Sequence, residues 1–251
     1  MKACIAALMS LGLGIGVAAA QPPDVCAVPA YLLFGDYNLS KVSAAVRDTR
    51  RLDVLVIGTG SSILAGQGGA NDAYPARLEQ ALAKRLPGIA VKVTTIARNR
   101  QTAEEMAKDL DKILIDVKPS LVIWQTGTVD AMRGVDPESF RTTLEKGLEA
   151  LQAKGTDVVL MNMQYSPRTE TMIALGAFVD NMRWVSQQRG VPLFDRLSIM
   201  RHWSESGSFD MYATTKDPAM AGKVHECIGR ALAALVIEAA HLSSVDNRAA
   251  Q

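Results

Sequence analysis

The chain has 251 residues, 48% of them hydrophobic, with 27 basic and 26 acidic side chains. That balance gives no basic face for nucleic acid or for an anionic membrane, and the length suits one ordinary globular domain without repeats or low-complexity tracts. Neither a His/Cys cluster nor a His-x-x-x-His pair occurs, so no metal and no other cofactor is expected.

The N-terminus starts with Lys2, an apolar stretch over residues 3–17, and Ala18-Ala19-Ala20 before Gln21. This is the pattern of a signal peptide cleaved after Ala20, and its apolar part is short for a membrane span. Cys4 opens the apolar stretch and is not at the cleavage site, so it does not read as a lipid-anchor cysteine. Without Lys2 the mature chain carries 26 basic residues against 26 acidic ones. No other segment reads as a transmembrane helix. A periplasmic or secreted location is therefore expected. Export leaves Cys26 and Cys227, and two cysteines in an oxidising compartment pair.

An arm over residues 21–50 precedes a regular alternation. The first strand, residues 52–57, breaks at Gly58 and Gly60 and places the hydroxyls of Ser61 and Ser62 just past its end. A helix over 74–86 follows, with Leu78, Leu82 and Leu86 on one face. Then come a strand at 91–96, a helix at 103–117 and a strand at 120–125. After Pro137 a helix covers 140–151, followed by a strand at 157–163 and a helix at 169–188. The last strand spans 191–194, the last helix runs from about 217 to 241, and residues 244–251 form a disordered tail. Strands separated by helices of this length imply right-handed crossovers and a parallel sheet covered on both faces. The expected fold class is α/β: a three-layer α/β/α sandwich around a flavodoxin-like five-stranded parallel sheet.

Such a sheet gathers its site on the loops after the strands, here residues 58–69, 97–102, 126–133, 164–168 and 195–203. Gly58-x-Gly60 is not a dinucleotide loop, because Ile63 stands where the third glycine belongs and no carboxylate follows the second strand. Three of these loops carry blocks that resemble the SGNH/GDSL family of serine esterases and lipases, over residues 52–236. They are Gly60-Ser61-Ser62-Ile63-Leu64-Ala65-Gly66, Ala97-Arg98-Asn99-Arg100-Gln101-Thr102-Ala103 and Gly127-Thr128-Val129-Asp130. Against the family's pattern, Ser61 replaces an aspartate, Val129 replaces an asparagine, and no Asp-x-x-His precedes the final helix.

The resemblance makes residues 51–243 an SGNH-hydrolase-like domain and the protein an ester hydrolase acting on acyl or acetyl esters of an envelope glycan or lipid. It puts Ser62 at the nucleophile and the backbone N–H groups of Ser62 and Ala97 at the oxyanion hole. Of the three histidines, His225 is the candidate base, with Asp130 organising the third loop. His202 beside Trp203 reads as part of a packed corner, and His241 as a surface residue. His225 also sits at the margin of the buried stripe Met220, Val224, Cys227, Ile228 and Ala231, which leaves a structural role open. Asn99, Arg100, Gly127, Arg133 and Arg168 are candidate substrate contacts. The arginines would suit an anionic or carbohydrate substrate, or would simply pair with carboxylates. The other reading is a catalytically inactive SGNH-like protein that binds a glycan, lipid or envelope partner. The oligomeric state is left open.

Overall fold

The computed structural model describes residues 24–64, 68–212 and 218–242. The signal peptide with its cleavage point, Ala65 and Gly66 of the first block, Asp217, and the tail at 244–251 lie outside the described residues.

Five strands form one sheet: β1 (Arg51–Gly58), β2 (Ala90–Ala97), β3 (Leu121–Gln125), β4 (Asp157–Met161) and β5 (Leu193–Phe194). All are parallel, in the order β2-β1-β3-β4-β5. The central strand β3 is buried at every position, as its unbroken apolar run Leu121-Val122-Ile123-Trp124 requires when helices cover both faces. Edge strand β2 has only exposed and half-buried residues.

The helices are α1 (Ser40–Thr49), α2 (Gly69–Asp72), α3 (Tyr74–Arg85), α4 (Ala103–Ala107), α5 (Leu110–Val117) and α6 (Thr128–Met132). They continue as α7 (Pro137–Ala153), α8 (Pro167–Met172), α9 (Gly176–Arg189), α10 (Arg196–Glu205) and α11 (Pro218–Ala239). Helix α11 packs on α3, while α7 packs on α4, α5 and α9, giving the two outer layers. The three-layer α/β/α sandwich expected from the alternation is thus the fold. Among the described residues no helix is long and apolar enough to cross a membrane.

The N-terminal arm belongs to the core, since Leu33, Leu39, Val42 and Val46 are buried in it. Helix α1 has no side-chain cap of its own. Its orphan N–H groups at Lys41 and Val42 are met by the Asp157 carboxylate at the start of β4, at 2.8 and 2.9 Å. Cys26 and Cys227 form a disulfide with their Cα atoms 5.0 Å apart, so the arm is tied to α11 by the pairing expected from the sequence.

Several expected elements differ. The single helix at 103–117 is two helices, α4 and α5, although Met106, Leu110, Ile113 and Leu114 continue one buried stripe through the break. The helix at 169–188 is also two: α8 begins at a Ser166 cap, and α9 restarts at Gly176. The loop at 195–203 is the helix α10, started by the Asp195 side chain accepting from Ser198 N at 3.0 Å. Strand β4 ends at Met161 instead of residue 163, because the next side chain, Asn162, bonds Asp195 and Leu197 N.

Gly147 marks a close approach of α7 to the sheet. A Cβ there would collide with the ring of Trp124, which is fully buried and has nowhere to go. Gly147→Ala gains about 1 kcal/mol of helix propensity but overpacks the core by about 1–3 kcal/mol. We expect a net loss of about 1 kcal/mol in urea unfolding; a stabilised variant would show that the helix can lift off.

Candidate active site

The turn after β1 is a short 3-10 turn over Gly60–Ser62. It folds the Ser62 side chain back beneath the strand end, and Ser62 is 0% exposed. The fold-back depends on Gly58, because a Cβ there would clash with Ser62 Oγ and with Gln125 Oε1. Gln125, the last residue of β3, accepts from the backbone N–H of Thr59 at 3.0 Å, and that donor fixes which end of the amide is oxygen. Ser62 Oγ donates to the same Oε1 at 3.0 Å. With its one proton so used, the serine accepts from Tyr74 OH, 2.9 Å away. Burial pushes the Tyr74 phenol above its usual range despite the positive charge of Arg196 and the bond to Ser62, so it is a neutral donor at pH 7. The backbone N–H of Ser62 is also engaged, donating to Thr59 O at 2.9 Å.

His225 lies in α11 and is 8% exposed. Its Nδ1 accepts from the backbone N–H of Tyr74 at 2.9 Å, so the imidazole caps the first turn of α3, which has no side-chain cap of its own. An accepting Nδ1 places the proton of the neutral ring on Nε2. Burial, reinforced by the charge of Arg196, lowers the pKa of His225 to about 4. Ser62 and His225 therefore meet at opposite ends of Tyr74, its hydroxyl and its backbone, and the nitrogen lone pair of the ring is spent on a helix end.

Arg196, the first residue of α10, is 1% exposed. Its guanidinium donates to Ser61 Oγ at 3.2 Å and to Ser61 O at 3.4 Å, while Nε has no partner. Burial lowers its pKa to about 10, which leaves it charged at pH 7.

Asp130 is buried, and burial raises its pKa against the N–H groups and hydroxyl that hold it. Its carboxylate accepts from Ala103 N at 2.9 Å and from Thr126 Oγ1 at 3.4 Å, joining the third loop to the start of α4. Gly127 has φ 99°, and a Cβ would press on Met163 at 3.1 Å. Ala97 pairs with Gly58 at the end of the β1–β2 ladder. Asn99 lies over Gly60, where a Cβ would come within 2.6 Å of its Oδ1. The three arginines have separate surroundings. Arg133 pairs with Glu105 at 3.0 Å, exposed Arg100 has φ 62°, and Arg168 lines a cavity of about 370 Å³ with Met132 and Met172. His202 sits in the last turn of α10 beside Trp203, whose indole donates to Ala27 O at 3.0 Å.

The sequence model of the Non-GDSL lipase-like family matches residues 25–242. The chain belongs to that family. The family's description agrees with a first block in which Ser61 stands in place of aspartate. Solved structures place this lipase-like chain on the SGNH/GDSL hydrolase fold. TesA is 22% identical with a TM-score of 0.57, over 73% of this chain and 99% of TesA. Axe2, an acetyl-xylooligosaccharide esterase from Geobacillus, is 13% identical with a TM-score of 0.60, over 74% and 94%. A lipase/acylhydrolase from Enterococcus faecalis is 16% identical with a TM-score of 0.57, over 73% and 96%. At these identities the likeness is one of fold. Among curated proteins no sequence matches.

Tyr74 and Arg196 escape a search of the loops for catalytic types. Tyr74 reads as a core position of its helix. Arg196 is marked only by its place just after the fifth strand, at the edge where sites form.

Proposed function

We propose that this protein is an exported ester hydrolase of low turnover, acting on acyl or acetyl esters of an envelope glycan or lipid, with Ser62 as its nucleophile. The observation that carries the reading is the place of Ser62, at the turn that ends β1 on the loop-bearing edge of a lipase-like fold. Serine chemistry has a precedent on this fold, since one Axe2 structure is of a catalytic mutant with serine replaced by alanine. The Cys26–Cys227 disulfide supports an oxidising compartment.

The low rate follows from where the protons sit. Ser62 points its proton at an amide oxygen, which is no base, and accepts from a neutral phenol. Attack requires its hydroxyl to turn from Gln125 and Tyr74 and to give up its proton to a solvent base. A triad lacking its base keeps binding and oxyanion contributions but loses orders of magnitude in rate. In this reading Ala97 N–H serves the oxyanion, and His225 positions Ser62 through Tyr74. Asp130 and Gly127 hold the third loop, while Asn99, Arg100 and Arg168 face the substrate.

Binding without turnover is the second reading, favoured by the full burial of Ser62 with both hydrogen-bonding roles filled. Hydrolysis of p-nitrophenyl acetate by the wild type and Ser62→Ala separates the two. We expect kcat/KM to fall about tenfold or more in the variant. Equal rates would leave a binding protein.

A further inference from the structure

A guanidinium offers five N–H donors, and a buried one ordinarily faces a carboxylate. Arg196 has no such partner: its two acceptors, Ser61 O and Oγ, stand at 3.4 and 3.2 Å, and its buried Nε is bare. Among the described residues no carboxylate pairs with it. Its titratable neighbours, Tyr74 and His225, are both neutral at pH 7. Among the described residues the charge therefore sits uncompensated beside the candidate nucleophile's turn. Ser61, unlike Ser62, is half-buried, so the acceptor in front of the guanidinium borders solvent. A carboxylate there would replace a long hydrogen bond to a neutral acceptor with one in which both donor and acceptor are charged.

We propose that Arg196, with Ser61 as its displaceable cover, forms a binding site for a small carboxylate, the acid released when an acyl ester is hydrolysed. The choice of carboxylate rests on the ester-hydrolase reading; the unpaired cation does not. In the free protein Ser61 Oγ occupies the site weakly, and a carboxylate takes its place by accepting from the guanidinium. Since product acid and ester compete for the same edge, the site also makes the acid an inhibitor.

Isothermal titration of the mature chain with sodium acetate at pH 7, at ionic strength held with sodium chloride, tests this without any turnover. Acetate should bind the wild type, about tenfold or more weaker in Arg196→Met, which loses the charged donor. It should bind more tightly in Ser61→Ala, which removes the competing acceptor. Equal affinity in all three proteins, or no binding to the wild type, overturns the proposal. Binding of sodium phosphate but not acetate through Arg196 overturns the carboxylate assignment. If Arg196→Met does not fold, Ser61→Ala decides, and unchanged affinity there counts against the site. Acetate binding that survives in a protein with no Ser62-dependent hydrolysis refutes the hydrolase reading and leaves the site standing.

Discussion

Replacing Cys26 and Cys227 together by serine is expected to lower the free energy of unfolding by about 4 kcal/mol. The bond joins residues separated by 201 positions in a chain of 251. On the chain-entropy model a cross-link over so long a loop removes about 5 kcal/mol of freedom from the unfolded chain, and measured losses usually fall below that. The effect has a structural counterpart: Cys227 is buried in α11, and the tethered arm continues into α1, whose Val42 and Val46 are buried in the core. Urea unfolding of the oxidised wild type and the double variant measures the difference as a lower midpoint. A midpoint that does not move would mean that arm packing alone holds the two ends together.

A drop from pH 7 to about 4.5 should cost the wild type roughly 2.4 kcal/mol through His225. An unfolded histidine takes its proton near pH 6.5, but His225 in the folded protein takes it only near pH 4. Between those values the unfolded chain holds more protons, so stability rises with pH, and it is lost as pH falls from 6.5 through 4. The cause is geometric. A protonated Nδ1 would face the Tyr74 N–H it now caps, within the field of Arg196. Burial raises the pKa of Asp130 and Asp157, so their contributions run the other way, present at low pH and lost as pH rises through the raised values. Both carboxylates are kept in His225→Asn and cancel in the comparison. That variant should be less stable at pH 7, having lost the imidazole cap, yet lose less between pH 7 and about 4.5 in urea unfolding. Equal slopes in the two proteins would rule out His225 as the source.

How much of this was legible in the sequence depended on the range of the forces involved. The strand at β1, with Gly58, Gly60 and two serines behind it, announces itself within ten residues, because an apolar run and a glycine turn act locally. The helix breaks at α4–α5 and α8–α9 did not, since the apolar stripe runs through the first and no proline marks either. The strand order β2-β1-β3-β4-β5 is the flavodoxin-like one expected of five alternating strands. Of the candidate site, Ser62, Asp130 and His225 were found as residues, but not what each one touches.

The amino-acid order by itself determined the parallel sheet, the edge where the loops gather, the cysteine pair and the kinship with a lipase-like family. Periodicity, turn chemistry and short motifs are written in neighbouring residues. Only the tertiary structure decided the state of the site. Ser62 meets Gln125 from 63 positions away, His225 caps a helix 151 positions before it, and Arg196 reaches Ser61 across 135. A hydroxyl is a nucleophile or a hydrogen-bonded core group according to which donor and acceptor the fold puts beside it. That choice is made by packing, after the local pattern has done its part.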